Sequence, residues 1–278
     1  MALVRSLLNM CLMHVFNRLR RRSLLGDVPV VVSLTTYGRR ARLVHLAIES
    51  VARSPLRPSR MILWLDDCEL VLRPPAALRR LVRRGLELRH CSDLGPHKKY
   101  FPYVEAEDRS VPLVTMDDDT IYPRRWLERL VAGRNGRENA IVCHRAREVR
   151  VRADGTLYPY AAWPPATSSV SWPYLFPIGV GGVLYPPEFL DALAFAGSAF
   201  TELAPRADDV WLHSVSLSSG VQSRLVDFFR DDDFLAIRGT GAGSLMSDNV
   251  ARGGNDEQIV AVGTAELLAR TSRSSTRE

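Results

Sequence analysis

Three consecutive carboxylates, Asp117, Asp118 and Asp119, close an apolar run in the stretch VPLVTMDDDTIYP, residues 111–123. Like charges about 4 Å apart repel by roughly 1 kcal/mol in water and several-fold more at a partly buried site. A cation held between two of them removes that cost. Oxygen ligands in an open coordination sphere suit Mg²⁺ or Mn²⁺, above all when a diphosphate brings further oxygens. On an extended segment Asp117 and Asp119 face one way and Asp118 the other, so the first and third are the expected metal ligands. A triplet by itself reads equally as a solvated acidic turn, and a rival triplet, Asp231, Asp232 and Asp233, also sits between apolar residues. A second carboxylate pair, Asp208 and Asp209, opens the segment DDVWL. Asp is a preferred helix N-cap, and a carboxylate fixed at a helix start is also placed to take a proton from an attacking hydroxyl. The two roles are compatible, with Asp208 capping and Asp209 acting as base. His213, one turn on, either orients Asp209 or is a partly buried surface residue. Lys98 and Lys99 offer charge to neutralise a diphosphate, or are simply solvated loop lysines.

These groups need elements that carry them to one edge. Residues 28–34, VPVVVSL, form a β-branched run of the kind buried on both faces in central parallel strands, and the run ends in Thr35, Thr36, Tyr37 and Gly38. Residues 60–65 form a second such strand, ending in Asp66 and Asp67. Residues 86–89 form a short third, and residues 111–116 another that runs into the triplet. Helical patterns over 43–53 and from Pro74 to residue 84 separate them. This alternation predicts an α/β fold with a mostly parallel central sheet flanked by helices. In such sheets ligands bind at the carboxyl ends of the strands. Neither a GxGxxG fingerprint nor a Walker P-loop is present, so any phosphates fall to metal and basic side chains.

The second half has a different texture. Residues 141–152 read as one or two strands, and 161–177 as an ordered loop rich in Pro, Trp and Tyr, long enough to be a binding loop. Residues 176–185 read as a strand broken by Gly179, Gly181 and Gly182, which implies close approach of a ligand or another backbone. Trp163 and Trp172 either present ring faces to a sugar or pack in the core. Helices are expected over 187–195 and 209–217, a strand over 233–237, a glycine-rich turn over 239–243, and a last helix ending near residue 269. The expected organisation is a basic, apolar leader over 1–26 and one domain over 27–270. That domain divides into two halves, 27–135 and 136–270, and a disordered tail covers 271–278.

Composition narrows the partners. The hydrophobic content of 46% and charged content of 24% are those of a globular chain. A net charge of +6 with pI near 9.4 favours anionic partners such as nucleotide diphosphates or acidic lipids. None of the standard nucleic-acid motifs occurs, so no nucleic-acid partner is expected. Four scattered cysteines without a CxxC pair fit a reduced, intracellular protein. Residues 1–16 are apolar around Arg5 and precede Arg18, Arg20, Arg21 and Arg22. That run is too short and interrupted to span a bilayer. It fits an amphipathic helix on an anionic membrane surface, or a helix packed on the domain.

In order along the chain, SLTTYGRR with HLAIES, LWLDD, HKKY, VTMDDDTIYP, PIGVGGVLYPP, ADDVWL and GGNDEQ resemble the motifs of GT-A-fold nucleotide-sugar glycosyltransferases. The resemblance is to the family 2-like enzymes of bacterial polysaccharide synthesis and covers residues 28–269. It implies a GT-A-like fold and a metal-dependent transfer of sugar from a nucleotide-diphosphate donor to a glycan or lipid-linked acceptor, with inversion, in the cytoplasm. It implies Thr35, Tyr37, Asp67 and Asp118 around the nucleoside, Asp117 and Asp119 on Mn²⁺ or Mg²⁺, and Asp209 as base. Lys98 is then expected on the diphosphate, and the acceptor over Trp163, Trp172 and the strand carrying Gly181 and Gly182. Asp208 stands where the family has Glu. The family's late metal-binding His has no counterpart, and Asn249, Asn255 or Asp256 is expected in its place. The same sheet also suits a sugar nucleotidyltransferase, although TTYGRR is a poor version of its glycine-rich turn, and a non-catalytic glycan- or nucleotide-binding protein.

Overall fold

Two strands buried on both faces organise the molecule. In a computed structural model, which describes residues 2–167, 169–226, 233–240 and 253–275, β1 (Val28–Thr35) and β2 (Pro58–Leu65) run parallel and side by side. Val30, Val32 and Leu34 of β1, with Met61, Leu63 and Leu65 of β2, enter one core layer. Val31, Ile62 and Trp64 enter the layer on the opposite face. Strands buried on both faces in this way need helices above and below.

The sheet extends through β3 (Leu86–His90), β4 (Leu113–Thr115), β6 (Ile141–Cys143), β9 (Val183–Tyr185) and β10 (Ser223–Leu225). Its seven strands run in the order β10-β6-β9-β4-β1-β2-β3. All neighbours are parallel except β9, which is antiparallel to both β4 and β6. Two small ribbons sit beside it: β5 (Thr120–Ile121) with β11 (Leu235–Ala236), and β7 (Ala146–Glu148) with β8 (Leu175–Pro177). The expected strand over 176–185 is therefore two strands in different sheets, joined by the glycine turn. The Trp126 indole occupies the space beside Gly182 (φ +88°), where a Cβ would fall 2.4 Å from the ring, and Trp126 Nε1 donates to Gly181 O at 2.5 Å. Gly182 thus makes room for a core tryptophan and Gly181 accepts its indole N–H, so both are engaged in packing where an acceptor surface was expected.

The helices follow in order: α1 (Ala2–Leu19), α2 (Val44–Val51), α3 (Cys68–Leu72), α4 (Ala76–Val82), α5 (Phe101–Ala106), α6 (Trp126–Ala132), α7 (Pro187–Ala196), α8 (Phe200–Leu203) and α9 (Asp208–Ser219). Two more, Gly254–Ala261 and Thr264–Ser275, complete the described chain. The final helix continues through Ser275, five residues into the expected tail at its start, because Leu268 anchors it in the core.

The N-terminal segment is a structural member. α1 lies against α2, α4 and β11, with Met13 and Asn17 buried. Ser6 Oγ donates to Ala236 O at 2.7 Å. Asn17 Nδ2 donates to Glu49 Oε1 at 3.1 Å, and Arg84 grips the same carboxylate through two bonds of 2.5 and 3.2 Å. Glu49 has no solvent exposure and Arg84 only 7%. Removing one partner of such a pair strands a buried charge. Glu49→Ala is expected to cost about 3–5 kcal/mol, read as a shift in the urea midpoint. A loss below about 1 kcal/mol, the range of an exposed pair, would contradict the pairing.

Candidate active site

The triplet leaves the end of β4 as a turn, so strand alternation no longer governs it. Asp118 is 5% exposed; its carboxylate accepts from Thr36 Oγ1 at 2.6 Å and from Arg40 Nη1 at 2.9 Å. The same Arg40 nitrogen reaches Asp119 Oδ2 at 3.1 Å, while its Nε donates to Thr240 O at 3.0 Å. Asp117 turns instead to Lys99, 3.2 Å away. Asp119 is pushed up to about 6, by burial first and then by the charges of Asp117 and Asp118. The neighbouring carboxylates add to the effect of burial, and Arg40 opposes both. Ile237 N donates to Asp119 O at 2.7 Å and Asp117 N to the Tyr122 hydroxyl at 2.8 Å, which pins the loop backbone.

Lys99 joins the acidic loop to the start of α9. Its ammonium lies 2.8 Å from Asp208 Oδ2 as an ion pair, in addition to its contact with Asp117. The backbone that presents it is fixed from below and from the side. Ser33 Oγ on β1 donates to Lys99 O at 2.6 Å, and the Trp64 indole donates to Ser33 Oγ at 3.0 Å. His97, in the same 3₁₀ turn (Gly95–Lys99), stacks on Phe200 and donates from Nε2 to Ala204 O at 2.8 Å. Phe200 and Ala204 belong to the segment that leads into α9. One histidine therefore ties the lysine turn to the helix start that carries Asp208 and Asp209.

α9 opens on those two aspartates. Asp208 does not cap the helix; the residue before it, Ala207, holds that position with no side-chain bond, and the Asp208 carboxylate is spent on Lys99. Asp209 Oδ1 accepts the Gly179 N–H at 3.0 Å. A Cβ on Gly179 would lie 2.9 Å from Lys99 Nζ and 3.2 Å from Asp209 Oδ1, so only glycine lets the two side chains meet there. Burial and the adjacent Asp208 charge push Asp209 up to about 8, against the opposing pull of Lys99 and of the Gly179 N–H. His213 does not orient Asp209. Both ring nitrogens are buried without a hydrogen-bond partner, and burial holds the imidazole down at about 3.

Several expected residues sit elsewhere. Lys98 is 3% exposed and forms ion pairs with Asp66 and Asp93, so its charge is not turned to the triplet; Lys99 takes that place. Trp163 is 1% exposed, packed on Tyr160 and Phe176 with its indole donating to Tyr158 O, and offers no ring face. Trp172 is half-buried and donates to Ser216 Oγ at 3.2 Å. Asp67 caps α3, accepting from Glu69 N at 2.8 Å. Thr35 Oγ1 donates to Trp64 O at 3.0 Å, and Tyr37 is exposed with the Arg40 guanidinium 5.1 Å from its ring centre. Asp256 Oδ1 accepts from Tyr160 N at 2.6 Å and Asn255 is buried. Asn249, Asp231 and Asp232 lie outside the described residues. Among the described residues no three acidic, His or Cys side chains converge as a complete metal cage.

Sequence reasoning missed Arg40 and the backbone N–H of Gly179. The signal for Arg40 was present, an arginine in the polar turn that ends β1. Nothing local announces the Gly179 contact, which depends on α9 arriving from a distant part of the chain.

No protein-family model matches the sequence, and no curated protein matches it. Two solved structures overlay on it with a TM-score of 0.50 and 12% identity each. One is S. aureus TarS 1-349, over 76% of this chain; the chain spans 60% of that structure. The other is the mannosyltransferase PcManGT from Pyrobaculum calidifontis in complex with GDP-Man and Mn²⁺, over 99% of this chain and 88% of that one. At this identity the likeness is one of architecture: the chain has a GT-A-like α/β fold, shared with a mannosyltransferase that has been seen holding GDP-Man and Mn²⁺.

Proposed function

We propose that the chain is a metal-dependent glycosyltransferase, moving a sugar from a nucleotide-diphosphate donor to a hydroxyl of a glycan or lipid-linked glycan, with inversion, as in polysaccharide assembly. The observation that carries this reading is Lys99. It contacts the strand-end acidic loop at 3.2 Å and the start of α9 at 2.8 Å, so an acidic loop and a carboxylate pair converge on one ammonium at the carboxyl edge of the sheet.

Asp117 and Asp119 fit a divalent ion, since Mg²⁺ and Mn²⁺ sites of this kind use one or two carboxylates and take their remaining oxygens from substrate phosphates and water. Bound there, Mg²⁺ or Mn²⁺ would supply charge neutralisation to the departing diphosphate. Lys99 adds a fixed positive charge beside the same place, in surroundings where burial makes it worth more than in water. Asp118 serves through Arg40 and Thr36, holding the loop in shape. Thr35, Tyr37 and Asp67, at the ends of β1 and β2, border the nucleoside. Asp209 takes the acceptor's proton as the acceptor oxygen bonds to the anomeric carbon and the bond to the diphosphate oxygen breaks. Trp172 contacts the acceptor. A cytoplasmic setting agrees with four free thiols.

The test is a thermal-shift screen of UDP-, GDP- and dTDP-sugars with and without Mn²⁺, with nucleotide diphosphate release as readout. One donor should raise the melting temperature with Mn²⁺ and release its diphosphate. Failure of every donor to bind would end the proposal, and binding without release would point to a non-catalytic protein. The double variant Asp117→Asn, Asp119→Asn should lose the Mn²⁺-dependent shift.

A further inference from the structure

α1 is apolar on two faces. The face turned to the protein carries Met13 with Met10 and Phe16 beside buried Ser6 and Asn17, whereas Val4, Leu8, Leu12, Val15 and Leu19 stand outward at 40% exposure or more. Their spacing of three or four residues puts them on one side of the helix. Apolar residues aligned on the outward face of a helix whose other face already fills the core mark a surface that meets another apolar phase. No described helix is long and apolar enough to cross a membrane, so such a helix lies along an interface.

At the carboxyl end of α1 the chain enters a cavity of about 510 Å³ lined by Arg20, Arg21, Arg22, Arg53, Arg84 and Arg124, with Ser23 and Ala52. Glu49, whose charge acts on Arg20, is already held by Arg84. Among the described residues, no carboxylate pairs with Arg21, Arg22, Arg53 or Arg124. Arg53 spends its Nη2 on Tyr122 O at 3.1 Å. Burial, followed by the neighbouring guanidiniums, lowers the proton affinity of Arg53, as expected of a cluster short of anions. The first 26 residues contain no acid.

We propose that α1 and this arginine cavity form one docking surface for a membrane rich in anionic phospholipid, the outward apolar face of the helix lying in the acyl boundary and the cavity receiving headgroup phosphate. Charge complementarity selects this occupant. A second copy of the chain would bring its own arginines to the same place, while a phosphate-bearing bilayer supplies both an apolar layer and the missing anions. The surface is separate from the cleft and does not depend on the transferase reading.

The test is sedimentation of the full-length protein with vesicles of phosphatidylcholine alone or mixed with phosphatidylglycerol. Binding is expected only to the anionic vesicles and should weaken as salt rises. Leu8→Asp with Val15→Asp should abolish it. Arg21→Glu with Arg124→Glu should weaken it by at least about 25-fold, at about fivefold for each cation lost. Melting temperature and far-UV circular dichroism, read on every variant, report that the fold is intact. Equal binding to neutral and anionic vesicles, or none to either, overturns the proposal. So does concentration-dependent dimerisation that the Leu8 and Val15 changes relieve, since the face would then meet a second copy. Stabilisation by inorganic phosphate without vesicle binding would likewise overturn it and assign the cavity to a free anion.

Discussion

Asp209→Asn is expected to lower transfer by about 10²–10⁴-fold, the usual worth of a positioned general base, while the donor-induced thermal shift stays. The substitution is close to isosteric and keeps an oxygen to accept the Gly179 N–H, now 3.0 Å from Oδ1. What it removes is the ability to hold a proton. Since burial and Asp208 push Asp209 up to about 8, the free protein carries that proton at neutral pH. A base works only when it has lost the proton, so kcat/KM should climb as pH rises through the region of 8, far above the ordinary carboxylate range. The variant's residual rate should lack this limb. Steady-state diphosphate release across pH on both proteins checks the two outcomes together. Unchanged transfer in the variant would remove Asp209 from the role.

Stability should fall in mild acid, before the surface carboxylates titrate. His45, His97 and His144 are buried and held down at about 4, and His213 at about 3, in each case chiefly by desolvation. An unfolded histidine takes its proton near 6.5. Between that pH and the folded values the unfolded chain binds protons that the folded chain refuses, so stability is present above 6.5 and is lost as pH falls. Each group contributes a slope of about 1.4 kcal/mol per pH unit. Asp118, Asp119 and Asp209 act in the opposite direction, because their raised values let the folded state hold protons that the unfolded state has released. The histidines outnumber them by one, leaving a net loss on the order of 1 kcal/mol per unit between pH 5.5 and 4.5, against a total stability of about 5–15 kcal/mol. Urea midpoints at a series of pH values give the slope. His213→Phe removes a buried imidazole that has no partner and should flatten the slope by about 1 kcal/mol per unit. A profile level down to pH 4.5 would mean that these rings are protonated in the folded protein.

The parallel half of the fold was legible because its signals are local. Residues 28–35 form a β-branched run and 58–65 an apolar one, each long enough to fix a doubly covered strand. Each is followed by polar residues at the carboxyl edge of the sheet. The triplet and the Asp208–Asp209 pair were legible as groups, and Asp117 and Asp208 do meet at one lysine. Division of labour within these groups was not, because it depends on contacts between distant segments. Which of Lys98 and Lys99 enters the cleft turns on a 3₁₀ geometry and on Ser33 and His97, and neighbouring letters in HKKY do not encode that choice. The reading of Gly181, Gly182 and Trp163 as acceptor surface failed for a related reason. Glycine and tryptophan mark close packing as readily as ligand contact, and Trp126, far away in sequence, decides the matter here. The N-terminal helix shows the converse. Its composition suggested a leader, while Asn17 and Glu49, 32 residues apart, make it part of the core.

The link from Ser6 to Ala236 has a consequence for how a docked molecule would behave. Ala236 pairs with Thr120, and the next residue, Ile237, bonds to Asp119 O. The helix on the outer surface is thus joined to the acidic loop by a short relay of main-chain bonds that bypasses the intervening sequence. On the docking proposal, such a relay would help to set the tilt at which the acidic loop meets the plane of a bilayer. If ordering at one end is felt at the other, linkage is obligatory: whatever factor a vesicle surface adds to donor affinity, the donor must add to vesicle affinity.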